Sequence, residues 1–214
     1  MTFKQATTAA IILAVTIAMT SILGVANAHN HEGEKPAMTG INVAALTLPE
    51  ITRGLEAGQF NSQDLTRAYL NRIDTIDRAG PTLNAVIAVN SSAMTLAKKS
   101  DMRRAKGEAL SPLDGVPFLL KDNIESKDRM PTTAGSTALV DNMTRRDSPL
   151  VARLRASGAI ILGKTNLSQW ANFRSSHSVS GWSAVGGLVK NPHVLDRQAC
   201  GSSSGSAAAT AASL

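Results

Sequence analysis

The segment from Ser202 to Thr210 constrains the fold most, because it contains only Ser, Gly, Ala and Thr. An ordinary surface helix carries long polar side chains on its outer face, so this composition predicts a segment packed closely against its neighbours. A flexible linker is the alternative for a Ser/Gly run, but linkers do not continue into the sequence AAATAASL of residues 207–214. We therefore expect a Gly/Ser turn that opens a closely packed helix near Ser203.

A turn of this kind is also able to bind an anion. The start of a helix offers backbone N–H groups, and serine adds hydroxyl groups. The two common phosphate-loop spacings, GxxxxGK[ST] and GxGxxG, do not occur in the sequence. A phosphate site therefore remains the less favoured interpretation.

The first 28 residues have the pattern of a secretory signal peptide. Lys4 precedes an apolar stretch from Ala9 to Val25, and Ala26-Asn27-Ala28 provides a small-x-small cleavage site. A retained membrane anchor is the alternative, but three hydroxyl residues interrupt the apolar stretch, namely Thr16, Thr20 and Ser21. We therefore expect export to the periplasm or the medium, cleavage after Ala28, and no membrane contact of the mature chain.

The remainder of the sequence predicts a polar linker and one domain. Residues 29–42 are polar with proline and glycine, and residues 43–214 suit a single domain or part of a larger one. Cys200 is the only cysteine, which excludes an internal disulfide. The net charge is +6, but no aromatic residues interleave with the scattered basic residues, so we expect no nucleic-acid partner.

Helical and strand patterns alternate along this domain, which indicates an α/β fold. One helix is predicted to begin at Ser62 and to end before Gly80, and a second to cover residues 91–106. A third begins at Pro149 and is closed by Gly158. Strands are predicted over residues 85–89, 116–120 and 159–163. Lys121 and Lys164 each follow a predicted strand. Position alone does not separate a functional lysine from a solvated or salt-bridged one.

Five sequence blocks resemble the amidase signature family. They are PLDGVPFLLKDNI (112–124), TTAGST (132–137), SGAIILGKTNLSQWANF (157–173), SGWSAVGG (180–187) and CGSSSGSAAAT (200–210). The resemblance extends from about Leu48 to Leu214 and implies a mixed β-sheet core flanked by helices. The form of the last block, with Trp170 and Trp182 upstream, is most similar to the exported peptide-amidase branch. The signal peptide also favours that branch over the cytosolic tRNA amidotransferase.

The resemblance also implies roles for individual residues. Lys121 matches the catalytic lysine and Ser202 the bridging serine, whose peptide bond to Gly201 is cis in the family. Gly201 and Ser203 match supporting positions. The family's attacking serine lies in a Gly-Gly-Ser block C-terminal to this run, so we expect it past Leu214 and expect this chain to be inactive alone. The resemblance implies no metal and no organic cofactor.

The function implied is hydrolysis of a carboxamide to a carboxylate and ammonia. A serine hydroxyl needs a base, and a lysine serves as one when burial lowers its pKa. The substrate is expected to be a small amide or an amidated peptide. Two alternatives remain: a non-catalytic fragment, or an amide-binding module that needs a partner chain. A Ser-His-Asp site is disfavoured, because His177 and His193 have no Asp or Glu at relay spacing. The sequence does not give the oligomeric state.

Overall fold

A computed structural model describes residues 40–214 of the protein. The predicted signal peptide and nearly all of the predicted linker lie outside the described residues. Every described residue belongs to one compact unit, Met38–Leu214.

The described residues form five α-helices and seven strands. The helices are α1 (Leu48–Glu56), α2 (Ser62–Arg72), α3 (Ala93–Ala105), α4 (Pro149–Ala156) and α5 (Ser204–Ala211). The strands are β1 (Val86–Val89), β2 (Pro117–Lys121), β3 (Ile160–Thr165), β4 (Trp182–Ser183), β5 (Gly187–Leu188), β6 (Lys190–Asn191) and β7 (Val194–Gln198). A π-helix, Ile73–Arg78, continues α2, and short 3₁₀ helices cover Val43–Ala45, Thr137–Leu139 and Gln169–Asn172.

The central sheet is mixed, and the predicted α/β fold is confirmed. Its strand order is β1-β3-β2, with β1 antiparallel and β2 parallel to β3. Strand β3 extends past its predicted end at Gly163 to Thr165. At the carboxyl ends of the parallel pair, Leu120 lies opposite Lys164 and Lys121 lies opposite Thr165.

The helices begin where local side chains satisfy the free N–H groups. Asn61 Oδ1 accepts a hydrogen bond from Asp64 N at 2.8 Å, and Ser148 caps α4 ahead of Pro149. Helix α1 was not predicted, although its start has the pattern of a capping box. Thr47 and Glu50 bond each other's backbone N–H groups there.

Both faces of the central sheet are covered. On one face, residues of β1 and β3 pack with α3 and α5 in a cluster that includes Val86, Ile160, Leu162, Ala97, Ala208 and Ala209. On the other face, Leu120 and Ile161 pack with Met130 and Val151. Helix α5 packs as closely as its composition predicted, because a Cβ atom on Gly205 would lie only 2.6 Å from Asn166 N.

Between residues 40 and 214, no helix is both long enough and apolar enough to cross a bilayer.

Candidate active site

Lys121 ends strand β2, and its amine contacts Ser202. The Nζ atom lies 2.9 Å from Ser202 Oγ, and both side chains are half-buried. Burial lowers the pKa of Lys121 below the ordinary value of 10.5, because the charged ammonium loses hydration. The arrangement brings a hydroxyl group together with an amine that releases its proton more readily than an exposed lysine does.

The loop before α5 holds Ser202 in place. The peptide bond between Gly201 and Ser202 is cis. Ser168 N donates a hydrogen bond of 3.0 Å to the carbonyl oxygen of Ser202. Gly201 fits here because a Cβ atom would clash with Ser168 Oγ. Ser168 is itself fixed, since its Oγ accepts a hydrogen bond of 2.8 Å from Gly181 N.

Helix α5 is tied to the end of strand β3, beside Lys121. Ser206 Oγ lies 2.7 Å from Thr165 Oγ1, and Gly205 N donates to Asn166 O at 3.0 Å. At the other end of the helix, Arg72 donates hydrogen bonds of 2.7 Å to the carbonyl oxygens of Ala212 and Ser213. The amine and the hydroxyl are therefore positioned by two elements that share one anchor, the carboxyl end of β3.

Ser203 and Cys200 flank the site without joining it. Ser203 is exposed at the N-cap of α5, and its side chain makes no hydrogen bond to any residue between 40 and 214. The supporting role implied for Ser203 stays a prediction. Cys200 is exposed and has a φ of 56°, a backbone conformation that favours glycine.

Lys164 lies away from the candidate serine. Its side chain is fully buried, and its Nζ donates to the carbonyl oxygen of Ile124 and to Thr132 Oγ1. Position at a strand end could not separate the two lysines, whereas the family resemblance selected Lys121. The structure shows that Lys121 is the one of the two that contacts Ser202.

The two histidines considered in the sequence lie on exposed loops. The ring of His177 lies 3.1 Å from the neighbouring Ser176 hydroxyl, and both His177 and His193 are exposed. Within residues 40–214, no three His, Cys, Asp or Glu side chains are grouped so that they could hold a metal ion.

A cleft of about 980 Å³ opens next to the turn that follows Lys121. Its lining combines aromatic and apolar side chains with polar groups, and includes Asn123, Glu125, Leu139, Trp170 and Phe173. The Phe173 side chain is 93% exposed. The cleft therefore offers both apolar surface and polar groups to a ligand.

Comparison with known proteins is consistent with this geometry. The sequence profile of the family described as Amidase matches residues 64–214. An Arabidopsis thaliana protein named as a probable amidase is 43% identical over 175 residues, which cover 81% of this chain and 34% of the relative. A glutamyl-tRNA(Gln) amidotransferase subunit of Coxiella burnetii is 41% identical over 169 residues, covering 78% of this chain and 33% of the relative.

Among solved structures, the peptide amidase of Stenotrophomonas maltophilia superposes with a TM-score of 0.76 at 48% identity. The match covers 78% of this chain and 34% of the peptide amidase. The chain thus spans about a third of the length of the relatives that it matches.

Proposed function

Because this chain belongs to the amidase family, we propose that it supplies the lysine and bridging-serine part of an amide hydrolase. The 2.9 Å contact between Lys121 Nζ and Ser202 Oγ carries the proposal. The reaction converts a carboxamide and water to a carboxylate and ammonia.

In the proposed mechanism, Lys121 acts as the base in its neutral form. It takes the proton of the Ser202 hydroxyl, while Ser202 takes the proton of an attacking serine. The attacking oxygen bonds to the amide carbon, and the C–N bond then breaks. The proton returns through Ser202 to the nitrogen, so ammonia leaves and an acyl-enzyme ester remains. Water, activated by the same pair, hydrolyses that ester.

The resemblance assigns the attacking serine to a Gly-Gly-Ser block C-terminal to α5. We propose that this serine, and the N–H groups that bind the oxyanion, complete the site together with Lys121 and Ser202. Such groups supply most of the rate enhancement in acyl transfer.

We propose a peptide with a C-terminal carboxamide as the substrate class. The similarity to a solved peptide amidase supports this choice. The cleft next to the turn that follows Lys121 supports it as well, since Trp170 and Phe173 offer apolar surface while Asn123 and Glu125 offer polar groups.

The test is ammonia release from an amidated dipeptide, measured with a form of the chain extended by the C-terminal part of its relatives. We expect turnover in the extended form, loss of turnover in its Lys121→Ala variant, and an unchanged melting temperature. Turnover that survives Lys121→Ala would exclude Lys121 as the base. Binding of the amide without ammonia release would favour the alternative of an amide-binding module.

We also propose that the protein is exported and cleaved after Ala28. The sequence pattern of residues 1–28 supports this proposal. The intact mass of the species in the exported fraction tests it. A chain that begins at His29 is expected, and a species that retains Met1 in the membrane fraction would contradict cleavage.

A further inference from the structure

Lys164 is a lysine that the proposed mechanism does not use, and its charged group lies inside the protein. Its side chain has no exposed surface, and that of Asp122 is 1% exposed. An ammonium group is costly to bury unless acceptors and an opposite charge compensate for the lost hydration. The position of Lys164 therefore calls for a physical explanation.

The surroundings of Lys164 provide both kinds of compensation. Its Nζ donates hydrogen bonds to Ile124 O at 2.6 Å and to Thr132 Oγ1 at 2.8 Å. Asp122 Oδ1 lies 3.8 Å away and has no hydrogen-bond partner among residues 40–214. Burial lowers the pKa of Lys164, while the negative charges of Asp122, Asp128 and Glu125 oppose that shift.

The groups that Lys164 binds belong to two segments next to Lys121. Ile124 closes the turn after β2, because its N–H donates to Lys121 O at 2.9 Å. Thr132 begins the loop over residues 132–135. That loop also holds Asp122, since Ala134 N donates to Asp122 O at 3.1 Å and both Thr133 N and Thr133 Oγ1 donate to Asp122 Oδ2.

Through these two hydrogen bonds, Lys164 links the turn over residues 121–124 to the loop over residues 132–135. It lies opposite Leu120 in the register, so it projects to the face of the sheet opposite to the one that carries Lys121 and Thr165. From that side it restrains the backbone that fixes the direction of the Lys121 side chain.

We propose that Lys164 is a positioning residue, whose ammonium group holds this turn and loop together so that the Lys121 amine stays against Ser202 Oγ. The inference rests on the proposed role of Lys121 as the base. Lys164 makes no hydrogen bond to Ser202 and lies on the opposite face of the sheet, so it acts through Lys121.

The experiment measures the titration of the Lys121 side chain by NMR in protein with ¹³C-labelled lysine. The Lys121 signal is assigned by its loss in Lys121→Arg. Lys164→Met removes the ammonium group, and Thr132→Val removes one of its acceptors but keeps the charge. Val151→Ala is the matched control, because Val151 is equally buried on the same face of the sheet and contacts neither segment by a hydrogen bond.

We expect the fraction of neutral Lys121 at pH 8 to fall roughly threefold in Lys164→Met, and by a smaller factor in Thr132→Val, as a loosened turn lets water reach the amine. Val151→Ala should lower the melting temperature without changing the titration. If Lys164→Met does not fold, Thr132→Val alone decides.

An unchanged Lys121 titration in Thr132→Val would overturn the proposal, even if Lys164→Met changed that titration. The lost repulsion between the two ammonium groups would then be enough to explain the effect of Lys164→Met. An equal change in Val151→Ala would also overturn it, because general loosening would be the cause. Failure of the proposed function is separate: the extended wild type would release no ammonia, whatever the titration of Lys121 shows.

Discussion

Thr165 Oγ1 and Ser206 Oγ lie 2.7 Å apart, and this hydrogen bond joins the end of the central sheet to the helix that follows Ser202. Thr165 is 1% exposed and lies opposite Lys121 in the register. The same strand end therefore sets the position of both groups of the candidate site. A substitution at Thr165 should therefore disturb the site without altering either Lys121 or Ser202.

Replacing Thr165 with valine should destabilise the protein by about 1–2 kcal/mol, because the hydroxyl of Ser206 loses its partner while the shape of the side chain is kept. Chemical denaturation measures the change. Thr210→Val is the matched control on the exposed side of α5. Its hydroxyl donates to Ser206 O within the same helix, where water can replace it, so stability should change by less than about 0.5 kcal/mol. Equal effects of the two variants would show that the hydrogen bond contributes little.

The activity of an extended, active form should rise with pH as Lys121 loses its proton. Burial lowers the pKa of Lys121, so the neutral amine becomes abundant below pH 10.5. The rise in kcat/KM should therefore have its midpoint below 10.5, and Lys121→Arg, which keeps its proton throughout, should show no activity at any pH. A pH profile that is flat from about 6 to 10 would contradict the assignment of Lys121 as the base.

Adding one methyl group at Gly205 should destabilise the protein by about 1–3 kcal/mol or prevent folding. The new Cβ atom would meet the backbone of Ala85 and Asn166, with Asn166 N and O each 2.6 Å away, and backbone cannot move aside as a side chain can. Ala207→Ser adds one atom on the exposed face of the same helix and serves as the control. Similar melting temperatures for both variants would show that α5 packs less closely than the structure indicates.

Cys200→Gly should stabilise the protein by about 0.5–1 kcal/mol, since glycine adopts a positive φ without the strain that a Cβ atom causes. Cys200 has a φ of 56° and is exposed, so little packing is lost with the thiol. Cys200→Ala removes the thiol but keeps the unfavourable conformation, and should bring no gain. Denaturation midpoints of the two variants compare these effects, and an equal gain in both would assign the effect to the thiol.

Local patterns in the sequence predicted most of the fold. The caps at Asn61 and Ser148 and the apolar runs of the three sheet strands depend on neighbouring residues, so they could be identified without knowing the tertiary structure. Helix α1 had such a signal, the capping box of Thr47 and Glu50, and was missed. The short strands β4 to β7 had none, because they lack an apolar run like those of the central sheet and form where each pairs with its neighbouring strand.

The five motifs that resemble the amidase signature family could likewise be identified from the sequence, because each is a short run of residues in a fixed order. From the sequence we could predict the α/β class, the closely packed small-residue helix, and two lysines near the ends of β2 and β3. The match to the family's motif selected Lys121, and the tertiary structure adds the physical reason why Lys164 does not reach Ser202. Leu120 and Lys164 share one face of the sheet, while Lys121 and Thr165 share the other.

Neighbouring side chains along a strand point to opposite faces of the sheet. Which of the two faces lies against Ser202 depends on where α5 packs. The position of α5 on the sheet is set by contacts between segments far apart in the sequence, such as those of Thr165 with Ser206 and of Lys121 with Ser202. It places one lysine against a hydroxyl group near solvent and the other inside the protein beside Asp122.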